Sequence, residues 1–259
     1  MTALANSPNS AIFPSLAGKV VFISGGATGI GEALVRGFHA QGAHVGFCDI
    51  DDAAGQVLES ALAPNNPVLF TRCDVTDVKA LGDAVAAVRE RFGRIGVLVN
   101  NAANDRRHTI EEVTGETFDA MVAVNLKHQF FAAQAVAHDM QALGGGSIVN
   151  LGSTSWIIKG AGYPVYQACK AGVRGLTRAL ARDLGKRNIR VNSIVPGWVM
   201  TEKQLRLWVK PESHAELDAA QCLPGRLMAE DIASMALFLA ADDSRMCTAQ
   251  DFVVDAGWS

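Results

Sequence analysis

Short runs of Val, Ile, Leu and Phe recur along the chain, separated by longer stretches whose apolar residues return at helical spacing. The runs are Lys19–Ser24, His44–Asp49, Val68–Arg72, Val97–Asn100, Ser147–Leu151, Arg190–Val195 and Asp251–Val254. They are apolar on both faces rather than alternating, as in strands of a parallel sheet covered on both sides. Between them the spacing predicts helices over Ile30–Gln41, Ala80–Phe92, Glu116–Leu143, Tyr163–Lys186 and Ala229–Ala241. Alternating strands and helices joined by right-handed crossovers give an α/β fold, a doubly wound parallel sheet of about seven strands flanked by helices. In such sheets ligands bind beyond the carboxyl ends of the strands.

Nothing between residues 18 and 259 reads as a linker, repeat or charge block, so 18–259 is expected to be one catalytic domain. Residues 1–17 carry Asn6-Ser7-Pro8-Asn9-Ser10 and no apolar core of a signal peptide, and they are expected to form a flexible arm. The net charge is −3 and the basic residues are dispersed. That pattern gives no footprint for nucleic acid or an anionic membrane and leaves a small molecule as the expected partner. The five cysteines lie far apart with no CxxC pair, which suits a reducing, cytoplasmic setting. The six histidines lack ligand spacing, so no metal is expected.

The first strand runs into Ser24-Gly25-Gly26-Ala27-Thr28-Gly29-Ile30-Gly31. Glycines 25, 29 and 31 depart from G-x-G-x-x-G spacing, yet the physics is shared. A turn without side chains brings backbone N–H groups and a helix N-terminus against a pyrophosphate. Read alone, it could equally be a plain strand-to-helix turn. Asp49 ends the second strand, 18 residues after Gly31, where a carboxylate accepts both adenosine ribose hydroxyls and repels a 2′-phosphate. The alternative for Asp49 is a helix cap, a role open also to Asp51 and Asp52. With no Lys or Arg in the turn or at position 50, the charge favours NAD over NADP. Asp74 and Val75 follow the third strand, Asp74 as an acceptor for adenine. Asn101 and Ala102 follow the fourth, where small residues admit the ribose.

Tyr166 and Lys170 stand one helical turn apart, on one face. A cation there is expected to lower the phenol's pKa and make it a usable base. Ser153 follows the strand at 147–151, placing a hydroxyl where it can hold a substrate oxygen. A lone YxxxK is commonly a surface pair. Here only two tyrosines exist, and Tyr163 has Gln167 at its +4 position.

From Gly18 to Gly257 the chain resembles the short-chain dehydrogenase/reductase family, on the glycine turn, Asp49, Asp74, Asn100–Ala102, Asn125, Ser153, Tyr166, Lys170 and Pro196-Gly197. The resemblance implies a Rossmann-like domain, NAD as cofactor and a catalytic tetrad in which Asn125 holds a water that relays protons from Lys170. It also implies that Pro196, Gly197, Val199 and Thr201 place the nicotinamide beside Tyr166 and Lys170. A homotetramer is implied, joined through helices 116–143 and 163–186. Two departures are small: Ser24 stands where Thr is usual, and Ala103 where Gly is usual.

The substrate pocket is expected from segments after strands four, five and six, with a lid at about 199–226. Candidate contacts are Asn104, Arg106, His108, Ser153, Trp156, Tyr166 and Gln204. Fixed donors and acceptors beside a flat aromatic suit a polyhydroxylated ligand better than a steroid or acyl chain, although a charged surface loop and core tryptophans would look alike. The segments at 104–108, 220–226 and 255–258 resemble those of bacterial NAD-dependent aldose 1-dehydrogenases of the D-xylose, L-arabinose and L-fucose type. That implies oxidation of a sugar's anomeric C1 hydroxyl to the lactone. A reductase of 3-oxoacyl or other carbonyl substrates is the enzymatic alternative. A non-catalytic NAD-binding protein is the remote one.

Overall fold

The computed structural model describes residues 11–259. In chain order the elements are β1 (Val20–Ser24), α1 (Gly29–Ala40), β2 (His44–Asp49), α2 (Asp52–Leu62), β3 (Val68–Arg72), α3 (Val78–Phe92), β4 (Val97–Asn100), α4 (Gly115–Val122) and α5 (His128–Ala142). There follow β5 (Gly146–Leu151), α6 (Pro164–Leu184), β6 (Ile189–Pro196), α7 (Glu202–Leu207), α8 (Pro211–Ala220), α9 (Ala229–Ala240) and β7 (Asp251–Val254). The seven strands form one parallel sheet in the order β3-β2-β1-β4-β5-β6-β7. Strand order reverses between β1 and β4, and a ligand crevice opens at such a reversal.

Both sheet faces are covered, as the unbroken apolar strands require. On one side Leu34 and Phe38 of α1 and Ile232 and Leu237 of α9 pack on Val21, Ile23 and Val45. On the other, Val85 and Val88 of α3, Val136 and Met140 of α5 and Leu180 of α6 pack on Phe22, Leu98 and Ile148. Gly46 lies directly under Val88, and a Cβ there would push α3 off the sheet. Under the carboxyl edge runs a buried polar ladder: Asn100 donates to Asn150 (2.9 Å) and Asn150 to Thr177 (3.0 Å). The Asn150 amide is paired at both ends, to β4 and to α6, while the Asn100 oxygen has no partner.

Three departures from the expected elements have local causes. Helix α2 was not expected; Asp51 caps it, accepting from the Ala54 N–H. The helix expected at 116–143 is broken by a π-turn over Ala123–Lys127, a widening often found at functional sites. The arm expected at 1–17 ends earlier at its inner side. Phe13 donates its N–H to Gln41 and lies against Phe238, and Leu16 is fully buried. Residues 1–10 of that arm lie outside the described residues. Among the described residues no helix is long and apolar enough to cross a membrane.

Candidate active site

The β1–α1 turn is glycine-rich because its backbone leaves the usual region and its neighbours leave no room. Gly25 and Gly29 have φ of +66° and +57°, conformations that disfavour side chains. A Cβ on Gly25 would come within 2.7 Å of the Ala102 Cα, and one on Gly31 would strike the Gly25 carbonyl. Ser24 is buried and faces inward. Its Oγ accepts the N–H groups of Asn101 (3.1 Å) and Ala102 (3.2 Å) and lies 3.4 Å from His128 Nε2. It therefore ties β1 to the loop after β4. Asn101 returns the tie by donating its side-chain amide to the Ser24 and Gly25 carbonyls. Ile30 of α1 faces the cleft.

Asp49 caps no helix; that role belongs to Asp51. Its carboxylate accepts from the Ala27 N–H (2.9 Å) and the Asp51 N–H (3.0 Å), which holds it at the lip of the glycine turn. Asp74 is exposed and closes its own turn, accepting from the N–H and hydroxyl of Thr76; Val75 beside it is buried.

A cleft of about 720 Å³ opens at the carboxyl edge. Ser153, Tyr166 and Lys170 meet in it, with Pro196, Gly197, Val199, Thr201 and Gln204 on the facing wall. Ser153 precedes a short turn, accepting the Ser155 N–H. Tyr166 and Lys170 share one face of α6, with the Lys170 nitrogen 5.6 Å from the Tyr166 ring centroid. Lys170 is 2% exposed and donates to the Leu151 carbonyl at 2.7 Å. Burial lowers its pKa to about 8.

The phenol does not behave as expected. Burial pushes the Tyr166 pKa up, and the Asp105 carboxylate pushes it further. A hydrogen bond from Ser153 and the Arg107 charge act the other way. Lys170 donates to the Leu151 carbonyl while its nitrogen stays 5.6 Å from the centroid of the phenol ring. His128 lies behind the site, fully buried, where burial and then Lys170 lower its pKa to about 3. It is neutral at ordinary pH.

Asn125 sits in the π-turn with its donors spent on the Met121 and Asn104 carbonyls, while its oxygen accepts the Asn104 N–H (2.9 Å). It pins the loop after β4 and makes no hydrogen bond to Lys170. In that loop the expected contacts are off by one residue. Asp105 and Arg107 line the cleft, whereas Asn104, Arg106 and His108 do not. Trp156 also lies outside the cleft lining, and Ile158 and Lys159 stand there instead.

The sequence reading missed several groups. The Asp105 carboxylate accepts from Lys203 (2.6 Å) and Gln204 (2.7 Å), and Gln204 accepts from the Trp198 indole (2.9 Å). Burial raises the Asp105 pKa, but Lys203 and Gln204 outweigh it and keep the acid ionised. Trp258, next to the C-terminus, stacks on Trp198 and lines this same cleft. Acidic, basic and amide residues at 105, 203 and 204 were visible, but nothing local pairs residues so far apart in sequence.

Residues 25–259 match a family model described as "Enoyl-(Acyl carrier protein) reductase". The chain is 47% identical over 251 residues to D-xylose 1-dehydrogenase of Caulobacter vibrioides, covering 96% of this chain and 99% of that one. The chain belongs to the short-chain dehydrogenase/reductase family. Another member, "Probable galactose dehydrogenase GalD" of Rhizobium meliloti, is 43% identical over 96% of this chain and 98% of its own. Among solved members, a short-chain type dehydrogenase/reductase from Mycobacterium ulcerans superposes with a TM-score of 0.87 at 28% identity, covering 96% of this chain and 91% of that one. A blue fluorescent protein from a metagenomic library, solved with NADPH, gives 0.87 at 34% identity over 95% and 99%. Short-chain dehydrogenases bind a nicotinamide cofactor, and the residues present fit one. The glycine turn leaves room for phosphates close to its backbone, and the Asp49 carboxylate stands at its lip.

Proposed function

We propose that this enzyme oxidises the anomeric C1 hydroxyl of a pentose or 6-deoxyhexose aldose to the lactone, with NAD as hydride acceptor. The observation that carries the reading is near full-length likeness to a D-xylose 1-dehydrogenase and to a galactose dehydrogenase. The polar wall of the cleft, with Asp105, Gln204 and Arg107, supports it, because it offers a sugar's hydroxyls both acceptors and donors. Asp49 supports NAD: its carboxylate would face a 2′-phosphate.

The glycine turn, Asp49, Asn101 and the 196–201 loop would hold the dinucleotide, whose nicotinamide would supply the hydride sink. The chain's residues handle the proton. Ser153 Oγ hydrogen-bonds the C1 oxygen and sets it against Tyr166 Oη. Tyr166 Oη takes the C1 hydroxyl proton as hydride leaves C1, so the carbon loses two electrons and the oxygen becomes the lactone carbonyl. Lys170, the buried cation on the same helix face, compensates the phenolate charge. Asn125 acts by fixing the Asn104 backbone beside the substrate. The 199–226 segment is the lid, anchored through Lys203 and Gln204 to Asp105.

The same reading keeps the protein cytoplasmic, which suits its buried free thiols Cys48, Cys73 and Cys169. It keeps a homotetramer, supported by the exposed Phe118 and Phe130 on α4 and α5. The test is NADH formation with D-xylose, L-arabinose, L-fucose, D-galactose and D-glucose, each with NAD and with NADP. Turnover of at least one aldose, faster with NAD, is expected. Silence with every aldose alongside reduction of a 3-oxoacyl substrate would replace the reading.

A further inference from the structure

Trp208, Arg107, Tyr163 and Tyr166 form a continuous chain of contacts in the cleft, the two tyrosine rings tilted by 55°. The Arg107 guanidinium carbon lies 3.6 Å from the Tyr163 ring centroid and 5.1 Å from that of Trp208. The Tyr163 ring is in turn 5.7 Å from the Tyr166 ring. The four side chains come from three segments: the loop after β4, the start of α6 and the end of α7. Flat packing against rings engages the faces of a guanidinium and leaves its N–H edge available.

That edge is uncommitted. None of the seven ion pairs among the described residues uses Arg107. Asp105, the acid two residues away, is occupied by Lys203 and Gln204. A second, independent observation lies beside it: the Trp208 Nε1 is buried and has no acceptor. Native interiors rarely leave such a donor without a partner. Both side chains line the cleft.

We infer that Arg107 and Trp208 form a distal sugar subsite, donating to the ring hydroxyls furthest from C1 and selecting which aldose is accepted. The inference rests on the aldose reading above and goes beyond it by naming what reads the sugar. The cleft then offers the sugar an acceptor in Asp105 as well as the donors of the Arg107–Trp208 pair. A guanidinium already held between two rings loses little freedom on binding, so its hydrogen bonds discriminate at low entropic cost. Arg107 is a specificity determinant here and moves no proton.

The test uses the full chain at saturating NAD, the best aldose of the panel and its matched deoxy analogues. Arg107→Met removes the donors, and Trp208→Phe keeps a ring while removing only the N–H. Arg107→Met is expected to raise KM about tenfold or more, and Trp208→Phe about fivefold, with kcat changed less than about threefold in Trp208→Phe, which keeps the Arg107 charge beside Tyr166. On the analogue lacking the hydroxyl that is read, both penalties should shrink below about twofold. Unchanged KM in both variants would overturn the subsite. So would equal losses on every analogue with kcat falling in step, which marks a structural role. NAD affinity, read by fluorescence, checks the fold; should Arg107→Met lose it, Trp208→Phe decides alone. Wild-type turnover separates the two claims: no aldose oxidised defeats the functional reading, whereas normal wild-type turnover with indifferent variants defeats only the subsite.

Discussion

In the proposed reading Tyr166 takes the proton and Asp49 sets the cofactor choice. Burial and Asp105 raise the pKa of the Tyr166 phenol. Tyr166→Phe removes the one oxygen positioned to take the C1 proton. Its kcat should fall about 10²–10⁴-fold while the NAD dissociation constant, measured by fluorescence quenching, stays within about twofold. At Asp49 the carboxylate is fixed by two backbone donors. Asp49→Ser keeps a small polar group and deletes the charge, so the NAD-over-NADP ratio of kcat/KM should drop at least about tenfold. An unchanged ratio would place cofactor choice elsewhere. That Ser153, Tyr166 and Lys170 share one cleft was legible in the order of the family pattern. The Tyr166 pKa was not, because it depends on burial and on Asp105, a charge that nothing in the YxxxK spacing announces.

At the scale of elements, two contacts decide how the site is held. Lys203 on α7 reaches Asp105 across the cleft at 2.6 Å and is half exposed, so it is a latch of modest strength. Lys203→Ala should raise the sugar KM a few-fold with kcat and the urea midpoint unchanged. Behind the sheet, Arg89 of α3 donates both to Asp139 and to the Ala135 carbonyl of α5, and Asp139 is buried. Asp139→Ala strands that guanidinium and the buried Ile95 N–H. Stability by urea titration should fall by about 2 kcal/mol. Every strand was legible to within a residue or so, because continuous apolar runs have one use in a doubly wound sheet. Helices α2, α7 and α8 were not, because caps such as Asp51 and Thr201 announce a helix only once its context is known. In the loop after β4, polar side chains stand at every position from 104 to 108, and Asn125 pins the Asn104 backbone. Asp105 and Arg107, rather than their neighbours, line the site.

Across the whole molecule, a buried cation at the carboxyl edge of the sheet has a stability cost that pH reveals. Burial lowers Lys170 from 10.5 to about 8, so between those values the unfolded state binds more protons than the folded one. This group's contribution to stability therefore rises with pH across that window and is least favourable below about 8. Lys170→Met should be the more stable protein at pH 7 by denaturant midpoint, with the gap closing towards pH 10. A gap that widens with pH would contradict that assignment. The architecture serves one event, hydride leaving C1 as Tyr166 takes the hydroxyl proton, and isotopic labelling reads that event directly. The decisive measurement offers the enzyme C1-deuterated D-xylose and D-galactose with NAD, then examines the reduced nicotinamide and the sugar product by NMR. The account predicts deuterium on the nicotinamide and a 1,5-lactone as first product. Reduced cofactor carrying only protium, with deuterium retained at C1, would show that another carbon is oxidised and would contradict it.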